Sequence, residues 1–348
     1  MRCAHPEVLP LHQESLVEKN SAISIVRVLS VFMIIGCHLA TWFGSNVLTM
    51  ILNVGVYVFL LISGILYAGK KIDHGIAFLK KRWLKLCTPM YFLVLFLLIV
   101  NLIQANSGAL KSIPTYLFNL QGTGFLVLGV DLYQMNGLGH LWFLTAIMIC
   151  YLLLVLVKRM EHSCQLEKHI ALTFAVFWIA DILFAYTVKL QLHYFIAYFI
   201  GYTIGKNEWK ISLKYYSIAT LLMISAMIIR LLVRKYADGT ILYDNLVVPF
   251  THIILAVWIY QTIQFLCQKA PKMARAIAMS RGVRWIEKLS LYLYMTHYMF
   301  LVGPFYVSNI PLPRAGQLMV FFIGTLISAL ILQFISEKVV QKLTGLLE

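Results

Sequence analysis

Charge is what this sequence has least of. Only 12% of its 348 residues are charged, about half the roughly 25% found in a typical soluble domain. A chain this long with so few ionisable groups cannot coat a water-facing surface, so an ordinary soluble enzyme is excluded. Acidic side chains are scarcest, 14 against 29 Lys and Arg. The six cysteines (Cys3, Cys37, Cys87, Cys150, Cys164, Cys267) follow no CxxC or other metal-ligand spacing. Most fall in or beside apolar runs and read as small buried hydrophobes with reduced thiols. The sequence contains no GxSxG nucleophile elbow, Walker A loop, HExxH or His-x4-Asp box, and no clustering of metal-ligating residues, so no metal is expected. Internal repeats are missing too. Residues 1–20 are polar and the first apolar run is too long for a cleavable signal peptide.

What the chain does have is apolar length. Hydrophobic residues make up 61% of it, and the mean hydropathy is +0.81. Runs of about 20 apolar residues are each enough to cross ~30 Å of hydrocarbon. Ten candidate spans follow, at 23–43, 47–68, 87–103, 141–157, 170–188, 193–205, 215–233, 246–266, 289–307 and 316–336, the sixth being short for a crossing. The expected fold is all-α, a polytopic membrane helical bundle. Its parts are a cytoplasmic tail over 1–22, one membrane domain over 23–340 and a short cytoplasmic tail over 341–348. An even number of spans puts both termini on one side. With the N-terminus inside, the cytoplasmic segments hold 23 of the 29 basic residues, as the positive-inside rule requires. The basic excess therefore reports topology, and a nucleic-acid partner has no support. The longest outer connection, 104–140, contains Pro114, a GTG at 122–124 and Asp131. It reads either as part of a binding site or as a short surface helix with a tail.

Function should lie where burial is costly. Arg27 and His38 stand eleven positions apart in the first span. At ~100° per residue they share one helix face, about 16 Å apart along the axis. Arg27 falls near the inner interface and His38 within the membrane, where an ionisable group marks a candidate site. Each also has a plainer reading, as a snorkelling anchor and as a histidine bridging helices. A basic cluster, Lys81, Arg82 and Lys85, precedes Pro89 at the mouth of the third span. It can fix topology, hold anionic membrane lipid or grip phosphates, for which guanidinium is well shaped. Other polar residues in apolar context are Asn53 and Ser63, His140 and Trp142, Asp181, and Tyr292, Tyr294 and His297. Ser63 and Asn53 read as helix bridges, and Asp181 needs a partner that the sequence does not name.

In order and spacing these segments resemble acyltransferase family 3, a family of integral membrane O-acyltransferases. The likeness rests on Arg27 with His38, FLLISGILY at 59–67, KRWLKLCTPMY at 81–91 and SLYLYMTHYMF at 290–300, and it covers essentially the whole chain. Two departures are visible. Lys85 stands where many members carry a second Arg, and the fourth span lacks the acidic residue that follows a similar tryptophan in one large subgroup. The pattern looks closest to the branch acting on surface glycans without an appended extracellular domain.

The resemblance implies a multi-pass protein of a bacterial inner (plasma) membrane. It also implies transfer of an acyl group, usually acetyl, from cytoplasmic acyl-CoA to a hydroxyl of a glycan or glycolipid acceptor. Arg27, Lys81, Arg82 and Lys85 would meet the donor phosphates. His38 would act as general base or as a transient acyl carrier. Ser63, Tyr292 and His297 would lie at the acceptor. The competing reading is a transporter or flippase for a small polar solute or lipid-linked sugar. Against it, the paired inverted repeats with broken helices of many transporters are not visible. A non-catalytic scaffold in a glycan-assembly complex is a third reading.

Overall fold

The computed structural model describes residues 10–121, 135–163, 192–206, 212–240 and 242–345, together with 176, 178–180 and 183. All regular structure among them is helical. The helices are α1 (Pro10–Trp42), α2 (Asn46–Leu52), α3 (Gly55–Ala68), α4 (Gly75–Ile103), α5 (Ile113–Leu117), α6 (Trp142–Ser163) and α7 (His193–Lys206). They continue with α8 (Leu213–Ala237), α9 (Val248–Lys269), α10 (Pro271–Met279), α11 (Arg281–Thr296), α12 (Tyr298–Leu301) and α13 (Arg314–Gly345).

Seven segments among the described residues are long and apolar enough to cross a membrane. The sequence led to ten spans, and the other three have separate explanations. The run 170–188 lies mostly outside the described residues, Asp181 included. The run 193–205 is helical but only 14 residues long. The run 289–307 begins earlier than expected, at Arg281, and is interrupted at His297. The interruption coincides with a carbonyl taken by side chains, one of them from another segment. A continuing helix would offer the Tyr294 carbonyl to the N–H of residue 298, and here two imidazoles donate to that oxygen.

The second span also breaks, at Asn53 and Val54, and Asn53 is exposed. Gly55 then presses on α1, where a Cβ would lie 2.9 Å from the Ser30 carbonyl oxygen. In the connection 104–140, a 3-10 turn at Ser107–Ser112 leads into α5; the GTG and Asp131 lie outside the described residues.

α1 is the central helix, packed on α2, α3, α9, α10 and α11. Beside it α3 and α7 run parallel at very short range. The Gly64 Cα faces the Tyr198 carbonyl, and the Gly201 Cα faces the Leu61 carbonyl, so closely that a Cβ on either would sit 2.0 Å from oxygen. α13 packs on α4 and α11. The bundle thus has two chemically distinct ends. The C-terminal end of α1, the 135–141 segment, the start of α9 and the end of α11 gather histidines. The opposite end, where α3 turns into α4, gathers cations. Cys37, Cys87, Cys150 and Cys267 are free and buried, as their apolar context predicts.

Candidate active site

His38 lies one turn before the end of α1, with its face set by the packing of α1 on α11 and α12. Its ring centroid is 5.2 Å from that of His297 and 4.9 Å from that of Tyr298. It lines a cavity of about 540 Å³ together with Thr41, Trp42, Tyr298, Gly303 and Asn309. Trp42 Nε1 donates to Ser308 Oγ at 2.8 Å, tying the end of α1 to the cavity's far wall.

A third histidine completes the group. The His140 ring lies 5.0 Å from that of His297 and 4.7 Å from that of Tyr298. His140 Nε2 donates to the Tyr294 carbonyl at 2.8 Å, and His297 Nδ1 donates to the same oxygen at 2.7 Å. The Tyr294 hydroxyl in turn donates to the His140 carbonyl. A carbonyl only accepts, so these bonds fix which nitrogen of each ring carries hydrogen. The remaining nitrogens, His140 Nδ1 and His297 Nε2, are buried lone-pair sites without a hydrogen-bond partner. The backbone brings His140 here through a glycine contact. Gly137 adopts φ +90°, and a Cβ on it would lie 3.1 Å from the Gly303 Cα. Only glycine accepts both that torsion and that approach without strain. Among the described residues no three histidine, cysteine or acidic side chains converge as a metal-ligand set.

At the opposite end of α1, Arg27 pairs with Glu287 of α11 at 2.5 Å. Arg27 and His38 therefore both face the 281–298 segment, as their phase on the helix predicts. Arg82 lies 5.4 Å from the Tyr67 ring centroid and 5.3 Å from that of Phe78. Its Nε is buried without a hydrogen-bond partner. Lys70 sits over the same Tyr67 ring at 4.9 Å. Partial desolvation, then the charges of Arg82 and Arg27, hold its ammonium below the usual lysine range. Lys85 falls within the field of Arg82, Arg27 and Lys70, with Glu337 as the opposing charge. Arg27, Lys70, Arg82 and Lys85 thus make one cationic mouth. Lys81 is set apart, lining a separate cleft with His74, Ala77 and Thr344.

Two residues expected at the acceptor lie away from the histidines. Ser63 Oγ donates to the Phe59 carbonyl of its own helix at 2.8 Å and is buried. Tyr292 is buried within the field of Glu337. In the sequence His140 and Tyr294 stand out only as polar residues in apolar context, and nothing there assigns Tyr298 or Lys70 to a site. A polar cluster in a membrane chain was their signal, but nothing in one sequence says that 140 and 297 meet.

Residues 20–334 match a family model described as an acyltransferase domain. No curated protein matches the chain, and no solved structure does. A match over nearly the whole length, on an all-α bundle of membrane-crossing helices, places the chain in acyltransferase family 3 and makes it an integral membrane acyltransferase.

Proposed function

We propose that this acyltransferase carries an acetyl group from cytoplasmic acetyl-CoA to a hydroxyl of a cell-surface or exported glycan, with His38 as the general base. The observation that carries the reading is the pairing on α1. A cation-rich mouth with Arg27 lies at one end of one helix face, and an imidazole on a cavity wall lies about 16 Å along the same face. Lys70, Arg82, Lys85 and the edge of Arg27 not taken by Glu287 would hold the donor phosphates, since a guanidinium has five donors and one carboxylate uses one or two of them. Lys81 would add a more distant positive charge.

A neutral imidazole has an unperturbed pKa near ~6.5 and takes a proton readily at neutral pH. His38 would remove the acceptor hydroxyl's proton as its oxygen bonds to the thioester carbonyl carbon. The C–S bond breaks, and the imidazolium returns the proton to the departing thiolate. On the acyl-carrier alternative, the His38 nitrogen bonds to the thioester carbonyl carbon, the C–S bond breaks and CoA leaves as the thiol with the ring's proton; the acceptor oxygen then bonds to the acetyl carbon, the N–C bond breaks and the hydroxyl proton returns to the imidazole. His297 and His140, held by Tyr294, would keep the wall beside His38 in place. The basic mouth belongs on the cytoplasmic side by the charge bias, which puts both termini there.

The test is acetyl transfer from labelled acetyl-CoA in membranes containing the protein. His38→Ala is expected to lower turnover by roughly 100-fold or more, the range for losing a general base, while folding is kept. Arg82→Ala is expected to act on donor KM, by about tenfold for one charge-assisted contact of ~1.5 kcal/mol. Undiminished transfer by well-expressed His38→Ala, or vesicle uptake of a solute without acetyl-CoA consumption, overturns the proposal.

A further inference from the structure

A second polar cluster occupies the histidine end of the bundle, apart from His38. Arg230, in the last two turns of α8, is 3% exposed. Its Nε and one terminal nitrogen are buried with no hydrogen-bond partner. The nearby acid Asp238 pairs with Arg234 instead, at 3.4 Å, and among the described residues no carboxylate pairs with Arg230. Beside it His252, fully buried, donates Nε2 to the Met50 carbonyl at 3.3 Å and keeps an unpartnered Nδ1. The His252 ring lies 5.1 Å from that of Tyr57, which stacks on His193 at 5.9 Å.

A guanidinium cannot shed its proton to escape burial. Charges at membrane depth are ordinarily paired or line a pathway. Arg230 has two desolvated donors on different edges, Nε and one terminal nitrogen, and His252, whose field it enters, offers no negative charge. Such a site lacks one thing, an anion to meet those donors.

Its place in the fold says what would bring that anion. From Tyr57 an aromatic strip continues to Tyr194 at 5.1 Å and then to Trp142 at 4.7 Å. Trp142 is two residues from His140, whose ring contacts Tyr298 on the His38 cavity wall. The strip therefore runs by ring contacts from His252, beside the unpaired guanidinium, to within two residues of the histidine group at the cavity.

We infer that Arg230, with His252 beside it, binds an oxyanion on the acceptor, a phosphate or a carboxylate, while the hydroxyl to be acylated reaches His38. The acceptor class is then an anionic sugar, such as a uronate or a sugar phosphate. This rests on the acetyl-transfer reading above for the role of His38, but the anion site itself does not need that reaction.

The experiment uses the full-length protein purified in neutral detergent, with methyl glucoside, methyl glucuronide and glucose 1-phosphate as probes. Thermal unfolding without donor reads binding, and acetyl transfer from acetyl-CoA reads use. The charged sugars are expected to stabilise the protein and to be acetylated at least about tenfold more efficiently than the glucoside, the scale of one charge-assisted contact. Arg230→Gln is expected to erase both preferences while stabilisation by acetyl-CoA is unchanged, and Arg230→Lys to keep part of them. If Arg230→Gln fails to accumulate, the reduced preference of Arg230→Lys decides. No preference in the unaltered protein, or a preference that survives Arg230→Gln, overturns the inference. So does stabilisation by phosphatidylglycerol vesicles over phosphatidylcholine ones that depends on Arg230 without discrimination among the sugars, because the anion is then a lipid headgroup. Arg230-dependent binding of the charged sugars with no acetyl transfer to any of them would overturn the reaction and support the site.

Discussion

His140 and His297, 157 positions apart in the sequence, donate to one acceptor, the carbonyl oxygen of Tyr294, at 2.8 and 2.7 Å. A doubly bonded carbonyl at a helix break makes the two rings interdependent, and the Tyr294 hydroxyl closes the loop on the His140 backbone. Tyr294→Phe removes only that last bond and is expected to cost about 1 kcal/mol of stability. His140→Ala takes away one donor and leaves a gap beside His297, a loss of about 1–3 kcal/mol. His140→Gln places an N–H where Nε2 stood and is expected to recover most of it. Differential scanning fluorimetry of the three variants checks the order. If His140→Gln is no better than His140→Ala, the shared carbonyl is not what holds the group.

Arg27 and Glu287 form the ion pair that fixes α1 to α11 at the basic end. Both side chains are partly exposed, at 26% and 21%, so screening limits the interaction, and a coupling of about 1 kcal/mol is expected. Arg27→Ala should do more than destabilise, because it also takes a cation from the mouth. Glu287→Gln keeps the fold nearly intact and frees the guanidinium, so donor affinity should hold or improve. A double-mutant cycle read by both thermal unfolding and donor KM separates the two roles. Equal losses of affinity in Arg27→Ala and Glu287→Gln would mean that the pair matters only as a strut.

How far the sequence reaches is clear from these same residues. Membrane helices report themselves, because each must satisfy its own backbone and show about 20 apolar residues to lipid; the limits of α8 and α9 lie within a few residues of those read from hydropathy. Arg27 and His38 were legible because both lie on one helix, whose period is known. The Glu287 partner was not, since a lone glutamate among cations has no periodic signature. His140, Tyr294 and Arg230 needed tertiary contacts that no local pattern encodes. The break at His297 was hidden for the same reason, since one of the side chains on the carbonyl there comes from another segment. Asn53 reads from sequence as a bridge between helices; it is exposed at the break between α2 and α3, and that break has no signature in composition.

Lys70 gives a prediction with a sign. Its ammonium is held below the usual lysine range by partial desolvation and by Arg82 and Arg27. The folded state thus binds the proton less tightly than the unfolded one. The penalty is present in full below the folded pKa, and stability rises as pH climbs from there towards the unfolded value near ~10.5. At neutral pH Lys70→Gln should therefore raise the unfolding temperature of the donor-free protein. An anionic donor offsets the same repulsion, so the variant should gain less from added acetyl-CoA, and the difference should shrink in high salt. An unchanged acetyl-CoA shift in Lys70→Gln would remove Lys70 from the donor mouth.

The α3–α7 crossing is the sharpest steric claim. Gly201 faces the Leu61 carbonyl so closely that a Cβ would fall 2.0 Å from oxygen and 2.9 Å from the Leu61 Cα. Those are backbone atoms, and no side chain can rotate away to make room. The glycines let two membrane helices approach backbone to backbone, where van der Waals packing drives association in lipid. Gly201→Ala must push the helices apart, at a cost of about 1–3 kcal/mol or more for overpacking. α3 carries Tyr57 and α7 carries His193 and Tyr194, so the separation should loosen the aromatic strip beside Trp142 before it reaches His38. The expected result is a lower unfolding temperature and a raised acceptor KM, with donor KM nearly unchanged. Gly282→Ala, where a Cβ would meet open space, serves as the control and should leave all three near their starting values. A Gly201→Ala protein as stable as that control would show that α3 and α7 do not approach this closely.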